Sequence, residues 1–133
     1  MRRALVKALH GEGAKLMAGS DSPQLFQLTG FALHAEIEAL ERAGLEPLAA
    51  LRTATANPAQ YLRGLPRLGS ASGIDPDFGV IDVGRRADLV LLRADPRTTV
   101  ENTRAIDGVM LRGRWFDRAA LDALAARIAA SVE

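Results

Sequence analysis

The sequence predicts a mixed α/β chain in two unequal pieces: an α-rich half with one lone, parallel strand, then a β-rich piece closed by a helix. Three observations predict this. Residues 2–21 give helical apolar spacing, a Gly-containing link and a short apolar run ending in a carboxylate. That order is the second half of a β/α unit and not a hairpin meander. Further on, short apolar runs separated by turn residues occupy 79–116. Finally, 48% of the 133 residues are hydrophobic and 25% are charged, an ordinary globular composition long enough to bury one core.

Arg2 to His10 places Leu5, Val6 and Leu9 on one helical stripe, and Gly11 and Gly13 break it. Lys15 to Ser20 reads as a buried strand, with Asp21 just past its end and Pro23 beyond. Residues 24–33 read as a loop. His34 to Ala43 is a helix with Leu33, Ile37, Leu40 and Glu41 at helical spacing, ended by Gly44. Pro47 opens the next helix at its first turn, where a missing N–H costs little. Leu48, Leu51 and Ala54 form its apolar face, Pro58 restarts or kinks it, and Tyr61 and Leu62 complete the face before Gly64.

Residues 65–78 read as a loop. Gly79–Asp82 and Asp88–Arg93 are predicted strands around a turn at Gly84. Ala105–Leu111 is a third strand, turned by Arg112-Gly113 into Arg114–Phe116. Asp117 is placed to N-cap a last helix whose buried stripe is Leu121, Leu124 and Ile128. A single parallel strand cannot bury both faces or satisfy its own backbone. Two readings follow. Either the chain is the C-terminal part of something larger, or all its strands share one sheet in a small α+β domain.

Seventeen basic against sixteen acidic residues exclude binding to nucleic acid or membrane surfaces by bulk charge. The absence of Cys excludes disulfides, thiol nucleophiles and Cys-ligated zinc. No apolar run is long enough to span a bilayer, and the N-terminal stretch lacks the h-region of a secretory signal. The expected location is cytoplasmic.

Asp21 is the leading candidate for chemistry. It follows the C-terminal end of a strand, where β/α folds build their sites, and a carboxylate there can ligate a metal or take a proton. The bland alternative is a turn-forming Asp before Ser22-Pro23. His34, at a helix entry, could point into a cleft, although such a His more often serves structure. His10 suits a helix C-terminus. Two His without H-x-H or H-E-x-x-H spacing do not make a metal site. Phosphate-loop and nucleophile-elbow spacings are missing, and Arg85-Arg86 reads as a solvated turn.

Several segments, in order, resemble the metal-dependent amidohydrolases. Leu16-Met-Ala-Gly-Ser-Asp21-Ser-Pro is similar to their eighth barrel strand. Leu33-His-Ala-Glu-Ile-Glu-Ala-Leu40 resembles the following helix in the imidazolonepropionase- and prolidase-like branch, and Ala43 to Ala59 the next helix pair. Residues 79–92 resemble G-x-I-x-x-G-x-x-A-D-x-V-x-L; Asp95-Pro96, Asn102-Thr103 and the hairpin Val109–Arg114 fit the rest.

The resemblance implies the last β/α units of a (β/α)₈ TIM barrel over 1–64, a β-sandwich segment over 65–116 and a closing helix over 117–133. It implies Asp21 as catalytic residue and metal ligand, with a divalent metal, usually zinc. It places His34 near the substrate mouth, for a small amide, cyclic amide or dipeptide with a hydrolysable C–N bond. The family's H-x-H, its bridging Lys or Glu and its two later His ligands are not in this sequence. The chain alone is therefore expected to be inactive. The alternative is a non-enzymatic module docking onto a separate barrel portion. A homo-oligomer formed by strand exchange is a third expectation, and no nucleic-acid or membrane partner is expected.

Overall fold

Side chains from three helices and one short 3-10 turn close over the centre of this protein. Its computed structural model describes residues 2–23, 29–64 and 76–131. The helices are α1 (Arg2–Gly11), α2 (Ala32–Arg42), α3 (Pro47–Thr53), α4 (Ala56–Gly64) and α5 (Arg118–Ala130). The strands are β1 (Leu89–Leu92), β2 (Ile106–Leu111) and β3 (Arg114–Asp117), with a 3-10 helix at Val100–Arg104. Ile37, Leu45, Ala50 and Val100 form the core; Val6, Leu16, Ala18 and Leu40 pack against it. Apolar side chains far apart in sequence thus leave water together, and this drives the assembly.

The α-rich half follows its punctuation. Gly44, at φ +104°, ends the α2 turn. Pro47 sits at the first turn of α3 after Glu46, which makes no side-chain cap. Pro58 lies in the first turn of α4, so the helix restarts there and does not kink. The buried positions of α3 and α4 are Ala50, Thr53 and Ala59, while Leu48 and Tyr61 are exposed. Small residues let these two helices approach their neighbours, which apolar spacing alone does not reveal.

The three strands form one antiparallel sheet in the order β1-β2-β3. Val90 pairs with Val109 and Val109 with Phe116; the register slips between Leu91 and Leu92. The β2–β3 turn has Arg112 at φ +50° and Gly113 at φ +79°, both positive as a type I′ turn requires. Arg112 donates its backbone N–H to Asp88 Oδ1 at 2.7 Å, and Gly113 donates to the Ala87 carbonyl at 3.0 Å. Arginine pays a left-handed penalty that asparagine largely avoids. Arg112→Asn is expected to raise stability by about 0.5 kcal/mol, read as a higher urea midpoint at unchanged m-value.

Asp117 caps α5 as its sequence position predicts, accepting the Ala120 N–H at 2.8 Å. Asp117→Ala is expected to cost about 1 kcal/mol, with helical signal lost before the sheet melts.

Lys15–Ser20 is extended, with no strand beside it among the described residues; it joins no ladder, which overturns the reading that all strands share one sheet. Three further expectations are corrected. Gly79–Asp82 forms no strand for the same reason; Ile81 and Val83 are 87% and 99% exposed. The α5 stripe is not buried: Leu121 is half-buried, and Leu124 and Ile128 are exposed. α5 packs on β2 and β3. Thirteen residues of helix reach ~20 Å, beyond the ~13 Å of the four-residue β3. Arg85 and Arg86 are not merely solvated. Arg85 donates to the Pro76 carbonyl at 3.0 Å, while Arg86 bonds Asp88 at 2.5 Å and lies over the Phe78 ring. The loops expected at 24–33 and 65–78 fall in part on residues 24–28 and 65–75, outside the described residues.

Candidate functional site

The segment carrying Asp21 is held by helices instead of by strands. Ala18 donates its N–H to the Thr53 carbonyl at 3.0 Å. Asn57 Nδ2 donates to the Leu16 carbonyl at 2.7 Å. Thr53 is almost wholly buried, and its hydroxyl returns to the Ala50 carbonyl at 2.6 Å. Leu16 and Ala18 face the core while Met17 is exposed, the alternation of an extended chain with one face covered. Sequence reasoning missed Thr53 and Asn57. The signal was present: two polar residues four apart within an apolar helix pair.

Asp21 lies at the exit of this segment, exposed, with φ +53°. Aspartate is among the few non-glycine residues that tolerate that conformation. Ser20 Oγ and Ser22 Oγ are 3.3 Å apart on either side of it. Among the described residues no group of three His, Cys, Asp or Glu could hold a metal ion. A zinc site needs at least three protein donors, so the described residues do not by themselves fit one.

His34, in the first turn of α2, is half-buried, and its Nδ1 lies 2.8 Å from Thr103 Oγ1 in the 3-10 helix. The structure does not bring His34 and Asp21 into contact through any described hydrogen bond. Burial, then the Arg104 charge, hold the imidazole below its ordinary pKa, partly opposed by Glu38. Glu38 takes Arg104 at 2.5 Å and Arg42 at 3.6 Å; mainly through the Arg104 bond, its carboxyl is held below the usual range.

A cleft of about 190 Å³ opens at the entry end of the 15–20 segment, lined by His10, Lys15, Arg52 and Asn57 among others. Neither Asp21 nor His34 lines it.

The sequence matches the amidohydrolase family over residues 1–116, a span that includes Asp21, the helix of His34 and all but the last residue of the three-stranded sheet. The chain belongs to the amidohydrolase family. That family is generally metal-dependent. Among solved structures, this amidohydrolase chain is similar to molinate hydrolase, at 32% identity and a TM-score of 0.52, covering 63% of this chain. It also shares its fold with a second amidohydrolase, at 24% identity and a TM-score of 0.63 over 86% of this chain. It spans 16% and 25% of those two chains. No curated protein matches it. No described helix is long and apolar enough to cross a membrane.

Proposed function

We propose that these residues form the C-terminal segment of a metal-dependent amidohydrolase that hydrolyses a C–N bond in a small amide, cyclic amide or dipeptide. In this reading 1–64 contribute the last units of a TIM barrel, with 15–20 as its eighth strand. Residues 65–116 contribute to a β-sandwich, and 117–133 contribute the helix that follows it. The observation that carries it is Asp21, set at positive φ at the exit of an extended, one-face-covered segment inside the family match. The imidazolonepropionase- and prolidase-like branch is favoured by the L-H-x-E-x-E-x-L pattern at 33–40.

Asp21 is the chain's contribution to catalysis and to the divalent metal, zinc by preference. Its carboxylate oxygen would take the proton from the attacking water. His34 is the substrate-binding candidate. With Nδ1 engaged by Thr103, only Nε2 could face a substrate. The reading places the protein in the cytoplasm, with no nucleic-acid or membrane partner.

The test is direct. The purified 133-residue chain, dialysed against zinc, is expected to retain no stoichiometric metal and to hydrolyse no amide or dipeptide above the buffer rate. Robust turnover by this chain alone would sink the proposal. A second reading, a non-enzymatic module docking onto a separate barrel portion, is favoured by one observation. Val80, Ile81, Val83 and Val90 are all exposed on the β-rich piece, apolar surface that a docked partner would cover. Strand exchange between copies would cover the same surface in a homo-oligomer.

A further inference from the structure

Three residues on α2, spaced i, i+4 and i+7, each meet the segment 99–104. His34 Nδ1 faces Thr103 Oγ1. Glu38 takes Arg104. Glu41 Oε2 accepts from Thr99 Oγ1 at 3.2 Å and from the Val100 N–H at 3.3 Å. That spacing puts all three on one stripe of the helix. Between the rungs sits Val100, fully buried, and Thr103 is buried beside it. This stripe joins the α-rich half to the β-rich piece, since the 3-10 helix leads within two residues into β2.

We propose that this seam is an acid-released latch: charging His34 beside Arg104 opens it and frees the β-rich piece from α2 while each piece keeps its own structure. The inference rests on the geometry of α2 and the 3-10 helix and stands whether or not the chain contributes to an active site. His34 is half-buried and meets a hydroxyl, not a carboxylate, so a proton gained there has no direct counter-ion. The charges that act on it are Arg104 on the 3-10 helix and Glu38 on α2; α2 also carries Glu36, Glu41 and Arg42, and the 3-10 helix Glu101. Glu38, the nearest acid to act on it, is already shared between Arg104 and Arg42. Of the other elements packed at this seam, β1 brings no ionisable side chain and α3 brings Arg52, which lines the cleft by Asn57. α1 brings Arg2, Arg3, Lys7 and His10, with Lys7 lying against Gly44.

The direction follows from linkage. The folded imidazole sits below its ordinary value of 6.5, so the opened chain takes up the proton first. The latch is complete above that value and is lost as pH falls through the folded one. Glu38, held below 4.5, adds a second loss only at still lower pH.

The experiment is amide exchange, corrected for intrinsic rates, at about pH 7.5 and about pH 5.5, a range that spans the ordinary His titration. The Val100 amide reads the Glu41 rung; the Val109 amide reads the β-sheet. Expected is a several-fold fall in Val100 protection at the lower pH with Val109 unchanged, and no such fall in His34→Gln. Unchanged Val100 protection, an equal fall at Val109, or the same fall in His34→Gln would each overturn the latch. If His34→Gln does not fold, the comparison of Val100 with Val109 in the wild-type chain still decides.

Discussion

Replacing Gly79 by valine is expected to destabilise the chain by about 2–5 kcal/mol, the sum of a left-handed backbone penalty and overpacking. Gly79 has φ +91°. A Cβ there would stand 2.6 Å from the Thr55 carbonyl oxygen and 2.9 Å from the Ala59 Cβ. Neither neighbour can give. The first is main chain between α3 and α4, and the second is the buried residue of α4. Urea unfolding reads the effect as a fall in midpoint. Gly64→Ala is the control, because nothing lies within 4 Å of its Cβ position and its φ is not positive. Equal losses at the two sites would show that the Gly79 contact does not hold the β-rich piece against the helices.

The other large effect concerns Asp21. Residues 1–116 can be grafted in place of the matching segment of a complete amidohydrolase. The graft with Asp21 is expected to support turnover. With Asp21→Asn, kcat is expected to fall by about 10²–10⁴, the usual contribution of a positioned acid–base group. Substrate KM and the melting temperature should change little, since Asp21 is exposed and packs into no core. A graft with unaltered kcat after Asp21→Asn would remove the residue from catalysis and leave the docking-module reading standing. Loss of activity in Asn57→Ala with normal metal content would show, separately, that the Leu16 anchor sets where Asp21 sits.

Much of the molecule is legible one residue at a time. Gly44 and Pro47 mark a helix end and a helix start because one tolerates positive φ and the other lacks an N–H. Asp117 caps α5 because its short side chain reaches the next turn. The hairpin at Arg112-Gly113 forms despite a poor first turn residue, since Asp88 and Ala87 fasten its two N–H groups. Asp21 stands out by its place after an apolar run, and the structure puts it at the exit of an extended segment.

Other features depend on partners distant in sequence. Residues 15–20 and 79–82 have strand-like composition, yet a strand needs a neighbour to bond, and none stands beside them among the described residues. The stripe of α5 has helical spacing, but burial needs a surface long enough to cover it. The pairings of His34 with Thr103 and Glu38 with Arg104 span 69 and 66 residues, beyond the reach of any local pattern. The sequence by itself determined the helices, the hairpin, the caps and the position of Asp21, all set by local backbone and side-chain chemistry. Only the tertiary structure decided which extended segments found a ladder, which apolar faces found cover, that Thr53 and Asn57 anchor Ala18 and Leu16, and that the α2 stripe joins the two pieces, because those outcomes rest on long-range contacts.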